Sequence, residues 1–190
     1  MTFSRKSEAL IYTDKGRQWL AQFEPDDQEI AKKILTSLTL ISESEFERVI
    51  QSALESLANS SSTATAFFAV REMNHDESYF DLCSDPAGDE IDALKTGADH
   101  GSEARVAAII RNYCKTNPDV LLNHPTLSRM RVQKCRTIVV VDDFIGSGER
   151  TKEFLDALWR NKTIKAWHSL SYVQFVVLAY SGTARGARAV

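Results

Sequence analysis

One string of this chain combines the residue types that a phosphorylated sugar ligand would require: Val139-Val140-Val141-Asp142-Asp143-Phe144-Ile145-Gly146-Ser147-Gly148-Glu149-Arg150-Thr151. The valines end a β-branched run, Thr137 to Val141, that shows no polar alternation. That pattern suits a strand buried on both faces of a parallel sheet. Such a strand delivers two carboxylates at its C-terminal end, where ligands of open α/β sheets bind. Gly146, Ser147 and Gly148 are small enough for backbone N–H groups to approach an anion, and the N-terminus of the following helix adds its dipole. Ser147 and Thr151 contribute hydroxyl donors. Carboxylates repel a bare phosphate, so the pair must face another part of the same ligand. Ribose hydroxyls, which donate to carboxylates, meet that requirement. The plainer alternative is that Asp142 and Asp143 cap the next helix and pair with nearby arginines; the small-residue loop directly behind them favours a ligand site.

Other phosphate motifs fit less well. A P-loop needs GxxxxGK[ST], and Gly146 to Thr151 has no lysine in that place. An acidic pair after VVV could be the metal-binding strand of a P-loop NTPase, but no phosphate loop lies upstream. Gly146 and Gly148 supply only the first two glycines of a GxGxxG fingerprint, which would not need the acidic pair. The three cysteines (Cys83, Cys114, Cys135) form no CxxC pair, and His75, His100, His124 and His168 are scattered without ligand spacing. The cysteines are expected to be free, packed thiols, and no metal site is expected from the protein's own side chains.

The elements that must position this string follow from periodicity. The first sixty residues read as helical. Asp26 with Glu29 has capping-box spacing ahead of a stripe Ile30, Ile34, Leu38. Ser42 with Glu45 opens a second helix with the stripe Phe46, Val49, Ile50, Ala53, Leu54, Leu57. Asn59 to Thr63 breaks the pattern as a linker or loop. Ala64 to Val70 then reads as a short buried strand ending at Arg71-Glu72. A brief strand is expected around Tyr79 to Leu82 within a long acidic loop that Gly97 to Gly101 ends. Ser102 is placed to cap a helix to about Lys115, with Val106, Ile109, Ile110 and Tyr113 on one face. A helix from Thr151 to Trp159 and a strand from Val173 to Ala179 complete the set. The expected organisation is a helical N-terminal extension over 1–60 and an α/β domain over 61–190. The segment from Ser181 to Val190 reads as a loop opening another helix, with the next strand missing.

Composition agrees with a soluble globular chain. The 190 residues are 43% hydrophobic and 26% charged, with 23 basic and 26 acidic side chains and a net charge of −3. That balance argues against generic nucleic-acid binding. No apolar run reaches the roughly 18 residues that span a membrane, and Met1 to Leu10 lacks a signal-peptide core, so a cytoplasmic protein is expected. Charge is uneven: Asp76 to Glu103 holds nine acidic residues against Lys95, and Arg105 to Lys165 holds twelve basic against six acidic. Such runs are usually solvated faces; here the basic run contains the phosphate-type motif.

The string from Val139 to Thr151 resembles the signature of type I phosphoribosyltransferases, in which a hydrophobic strand runs into two acidic residues and a small-residue loop. The resemblance implies a phosphoribosyltransferase-like, Rossmann-like fold: a mostly parallel sheet with helices on both faces. It implies that Asp142 and Asp143 hold the ribose hydroxyls of 5-phosphoribosyl-1-pyrophosphate (PRPP) and are the catalytic pair. Gly146, Ser147, Gly148, Glu149, Arg150 and Thr151 would hold the 5′-phosphate. Gly101 and Ser102 would contact pyrophosphate, with Arg71 near the same anion and magnesium carried on that pyrophosphate. Glu149 and Arg150 stand where the family usually has a second glycine and a Thr or Ser. The wording of Asp142 to Gly148, and Trp19-Leu20-x-x-Phe23 before Asp27-Gln28, is similar to divergent bacterial phosphoribosyltransferase-like domains of conflict and phage-defence systems. Two classes follow from the resemblance. One is a phosphoribosyl-transferring enzyme acting on a small-molecule ligand. The other is a non-catalytic nucleotide-sensing module that passes its signal to a protein partner through the N-terminal helices, with Phe46 to Leu57 as a docking surface.

Overall fold

The computed structural model describes residues 7–83, 88–93 and 101–190. The acidic positions Asp85 and Asp99, together with Lys95, His100 and the start of the expected loop end at Gly97, lie outside them. The chain divides into two compact units, Met1–Phe46 and Glu47–Val190. The sequence sets its division after residue 60; the units divide inside a helix, most of which belongs with the sheet.

The first unit holds a 3-10 turn over Ser7–Tyr12, α1 (Asp14–Leu20), α2 (Gln28–Ser37) and the first residues of α3 (Glu43–Asn59). Thr13 caps α1, its Oγ1 accepting the Gly16 N–H at 3.0 Å. A small core forms from Leu20, Ala31 and Leu35, with Leu10, Ile11, Trp19 and Phe23 around it. This corrects two expectations. Asp27, not Asp26, precedes α2, and its side chain makes no cap hydrogen bond because its backbone is already helical. The stripe Ile30, Ile34, Leu38 is 59%, 50% and 46% exposed. The helix buries the adjacent Ala31–Leu35 line instead, since the small Ala31 lets α2 approach the 3-10 turn and α1 closely. At Ser42 the capping half of the box forms: the Glu45 N–H donates to Ser42 Oγ at 3.2 Å. Along α3, Phe46, Ile50 and Leu54 are buried and Val49, Ala53 and Leu57 are half-buried.

The second unit is built on four parallel strands: β1 (Thr65–Ala69), β2 (Leu121–Asn123), β3 (Thr137–Ile145) and β4 (Gln174–Gly182), in the order β2-β1-β3-β4. Every residue of β1 is buried, as is β3 through Asp142, which is why both read as unbroken apolar runs. Alternation sends Phe67 and Phe68 to opposite faces. Phe67 meets Tyr113 of α4 (Ser102–Cys114) edge to face at 5.8 Å. Phe68 meets Tyr79, which packs on Phe154 of α6 (Glu149–Trp159) at 5.3 Å. Helices thus cover both faces of the sheet, as expected for an α/β fold of this type. Two short helices, α5 (Leu127–Val132) and α7 (Lys162–Ser169), link the later strands, and α8 (Ala184–Ala189) follows β4.

The expected strand at Tyr79 is instead a 3-10 turn, Tyr79–Leu82. Tyr79 and Phe80 are both buried in the same core as Phe68, and two consecutive side chains cannot share one side of a strand. The cysteines are free, with Cys114 and Cys135 buried. Burial pushes their thiols up to about 12 and about 11, so both stay protonated and inert. Among the described residues no helix is long and apolar enough to cross a membrane.

Candidate functional site

The sheet fixes the place of the site. From β1 the chain crosses to β2 on one side, and β3 then joins on the other, so the order reverses between β1 and β3. Such a switch point opens a crevice at the C-terminal strand ends. The β1–β3 ladder ends with Ala69 opposite Val141, whereas β3 continues beside β4 as far as Ile145 opposite Gly182. Asp142 is therefore the first residue of β3 that has outrun β1. Its backbone is held by β4 on one side, and the other side is open to the crevice.

The acidic pair, the small-residue loop and the start of α4 line one cavity of about 310 Å³: Ser102, Asp142 through Gly148, Arg150 and Thr151. Asp142 is only 3% exposed. Its Oδ2 accepts the Thr151 hydroxyl at 2.9 Å, and its Oδ1 accepts Arg150 Nη2 at 2.5 Å and the Asp143 N–H at 2.9 Å. Asp143 Oδ1 accepts the same Arg150 Nη2 at 3.1 Å and the Phe144 N–H at 2.9 Å. Burial and the neighbouring Asp143 raise the Asp142 carboxyl above its ordinary range, against the pull of Arg150 and Thr151. Burial also opposes ionisation of Asp143. Hydrogen bonds from Asp142, Ser102 and the Phe144 amide, with the Arg150 charge, nevertheless hold Asp143 below the ordinary range. The pair is thus split into a carboxyl that resists ionisation and one that keeps its charge.

The loop supplies donors. Glu149 N–H donates to Ser147 Oγ at 3.3 Å, and Ser147 Oγ lies 3.4 Å from Glu149 Oε2, so both turn toward each other. Among the described residues the amides of Gly146, Ser147 and Gly148 donate to no protein acceptor. Gly148, the N-cap of α6, has φ +90°, a left-handed conformation that favours glycine. Three unused N–H groups at a helix N-terminus, beside two carboxylates, can take an anion and a diol of one ligand.

The other expected site residues divide. Ser102 is brought to the pair, reaching Asp143. It is the first residue of α4 rather than its cap; the N-cap is Gly101, which makes no side-chain cap bond. Gly101 is exposed and does not line the cavity. Arg71 is 3% exposed just past β1 and outside the cavity lining. Its Nη1 donates to the Asp92 carbonyl at 2.9 Å, and its guanidinium lies 5.0 Å over the Tyr79 ring.

Sequence reasoning missed His124 and the part that the expected C-terminal helix plays at the loop. His124 follows β2 at φ +42° and is fully buried. Its Nε2 accepts the Ala69 N–H at 2.9 Å, so its proton sits on Nδ1 and is donated to Asn123 Oδ1 at 2.9 Å. It thereby ties down the end of β1 where β2 has stopped. Thr183 and Gly186 support the phosphate-type loop from behind: Thr183 Oγ1 donates to the Gly146 carbonyl at 2.6 Å. Neither showed a local signal, because both act by packing on residues nearly forty positions away.

A resident metal does not fit this donor set. Among the described residues no group of three or more His, Cys, Asp or Glu gathers to hold an ion, and the Asp142 oxygens are already engaged by Arg150, Thr151 and the Asp143 amide.

Comparison with known proteins finds a match at the level of the family. Neither the curated proteins nor the solved structures match the chain significantly. The PRTase-CE family model matches residues 17–190, which takes in α2, α3, the whole sheet and the cavity. The chain belongs to the PRTase-CE family of phosphoribosyltransferase-like proteins.

Proposed function

We propose that the chain binds a ligand containing ribose 5-phosphate, either PRPP or a nucleotide, in the cavity between Asp142 and Thr151. The observation that carries this reading is the union, in one cavity, of two carboxylates and three loop amides with no protein acceptor. The carboxylates accept from the ribose 2′- and 3′-hydroxyls. The amides of Gly146, Ser147 and Gly148 and the N-terminus of α6 take the 5′-phosphate, while the Thr151 hydroxyl, donated to Asp142, holds that carboxyl in place. With PRPP as ligand, the reaction would be phosphoribosyl transfer, and Ser102, which lines the cavity at the start of α4, would contact the departing pyrophosphate. Magnesium then enters only as the ion carried on that pyrophosphate. The wording of Asp142 to Gly148 supports a role in a bacterial conflict or antiviral defence system, in the cytoplasm.

A second reading keeps the same pocket in a non-catalytic sensor. It is favoured by the exposed Ile30 and Ile34 on α2, with Leu38 just past its end, an apolar face suited to a protein partner with a complementary apolar surface. The α3 stripe is less suited, since Phe46, Ile50 and Leu54 are buried.

Calorimetric titration of PRPP and AMP, with and without magnesium, into wild type and the Asp142→Asn/Asp143→Asn double variant tests the pocket. Saturable binding that disappears in a folded double variant is the expected result. No binding to folded wild type would reduce the family relationship to one of fold. Release of pyrophosphate in the presence of any acceptor would exclude the purely sensory reading.

A further inference from the structure

Arg150 occupies an electrostatically awkward position. It is the second residue of α6, where the partial positive charge of the helix N-terminus disfavours a cation. What holds it there is the acidic pair: one nitrogen, Nη2, donates to Asp142 Oδ1 at 2.5 Å and to Asp143 Oδ1 at 3.1 Å. Nη1 and Nε find no partner among the described residues, and the side chain is 35% exposed at the cavity wall. The guanidinium therefore sits on one oxygen of each carboxylate, Oδ1 of Asp142 and Oδ1 of Asp143, where ribose hydroxyls would compete with it. A hydroxyl that displaces it exchanges an ion pair, charged on both sides, for a hydrogen bond whose donor is neutral. A ribose without phosphate is at a disadvantage. A phosphate in the adjoining loop reverses the balance, because the planar fork of arginine pairs with phosphate at least as well as with carboxylate.

Taking the ribose-phosphate reading of the cavity as its basis, we propose that Arg150 is a phosphate-operated latch: it closes the acidic pair in the free protein and swings to the ligand's phosphate, so that the diol is accepted only from a phosphorylated ribose. The latch makes Arg150 the residue that selects ribose phosphates over free ribosides. It also accounts for an arginine standing where the signature has a small hydroxyl residue. A hydroxyl could hold phosphate but could not cover the carboxylates in its absence.

The test is titration calorimetry with ribose 5-phosphate and with ribose as paired probes, on wild type, Arg150→Met and Arg150→Lys. Wild type is expected to bind ribose 5-phosphate and to ignore ribose. In Arg150→Met, ribose 5-phosphate affinity should fall at least tenfold while ribose affinity rises, so the ratio between the probes collapses by more than tenfold. A loss for ribose 5-phosphate with no gain for ribose would overturn the latch and leave Arg150 a plain structural or phosphate contact. Absence of ribose 5-phosphate binding to folded wild type would sink the pocket reading itself, and the latch with it. Arg150→Met leaves a buried carboxylate unpaired, and if it fails to fold the result comes from two other measurements. Arg150→Lys keeps the charge without the fork and should show a weaker form of the same collapse. In wild type, nitrogen NMR of the Arg150 side chain should shift on adding ribose 5-phosphate but not ribose. An unmoved signal at saturation would overturn the proposal.

Discussion

Gly186 of α8 lies so close to the Gly146 carbonyl that a Cβ on Gly186 would stand 2.5 Å from that oxygen. The contact belongs to a set. Thr183 donates its N–H to the Ile145 carbonyl at 2.9 Å and its hydroxyl to the Gly146 carbonyl. A Cβ on Gly148 would stand 3.0 Å from both the Gly186 oxygen and Ala189 Cβ. The start of α8 acts as a template for the loop, and the loop's carbonyls face that template while its amides remain available to the cavity.

Gly186→Ala should therefore displace the loop itself. The clash is with backbone on both sides, which flexible side chains cannot relieve, and overpacking of this kind costs about 1–3 kcal/mol. Gly148→Ala adds left-handed strain of similar size to its own contacts. Gly101→Ala is the control: its φ is −88° and the nearest atom to a new Cβ is 3.8 Å away, so it should shift stability by less than about 0.5 kcal/mol. Urea midpoints rank the three. Ribose 5-phosphate affinity should fall in the first two and hold in the third.

His124 predicts a pH dependence. Burial, with help from the Arg71 charge, depresses its imidazole from 6.5 to about 3. The folded state thus binds fewer protons than the unfolded state below pH 6.5. Stability from this group is complete above pH 6.5 and is lost as pH falls toward 3, by up to about 1.4 kcal/mol per pH unit. Wild type and His124→Gln should be compared by urea unfolding at pH 7, 6 and 5. The variant is expected to be less stable at pH 7 and to lose less with acid, so the two curves converge. Parallel curves would show that the imidazole is not held neutral.

How much was legible shows best on α2 and around the sheet. β1, β3 and β4 could be read because each is a continuous apolar run, and α4 because its apolar face is wide. β2 is three residues long and gains its register only by pairing with β1; α7 buries Ile164 alone, so no stripe marks it. The motif at Asp142 to Gly148 was plain in the sequence; pairing of its carboxylates with a nearby arginine was read only as the plainer alternative, and Arg150 makes that pairing with both, because orientation depends on which neighbour wins. On α2 the periodicity gave a helix and the wrong face. Leu35→Ala should cost about 2–4 kcal/mol, whereas Ile34→Ala, half-exposed, should cost less than about 0.5 kcal/mol in the isolated protein. Equal losses by urea unfolding would show that Ile34 is covered.

The last prediction concerns Tyr79. Its ring is wholly buried between Phe68, Phe80 and Phe154, and Arg71 lies over its face. Its hydroxyl nonetheless meets no hydrogen-bond partner among the described residues, and burial raises its pKa far above the ordinary range. A buried hydroxyl without a partner carries a desolvation cost of about 1–3 kcal/mol. Tyr79→Phe removes that group and keeps every ring contact, including the cation over the ring, so stability should stay level or rise by about 1 kcal/mol. Tyr79→Leu, which loses the edge-to-face contacts, should lower it by about 1–3 kcal/mol. Urea midpoints decide between them: a clear loss in Tyr79→Phe would mean that the hydroxyl has a partner, and the ground next to Arg71 would then be a polar site rather than packed core.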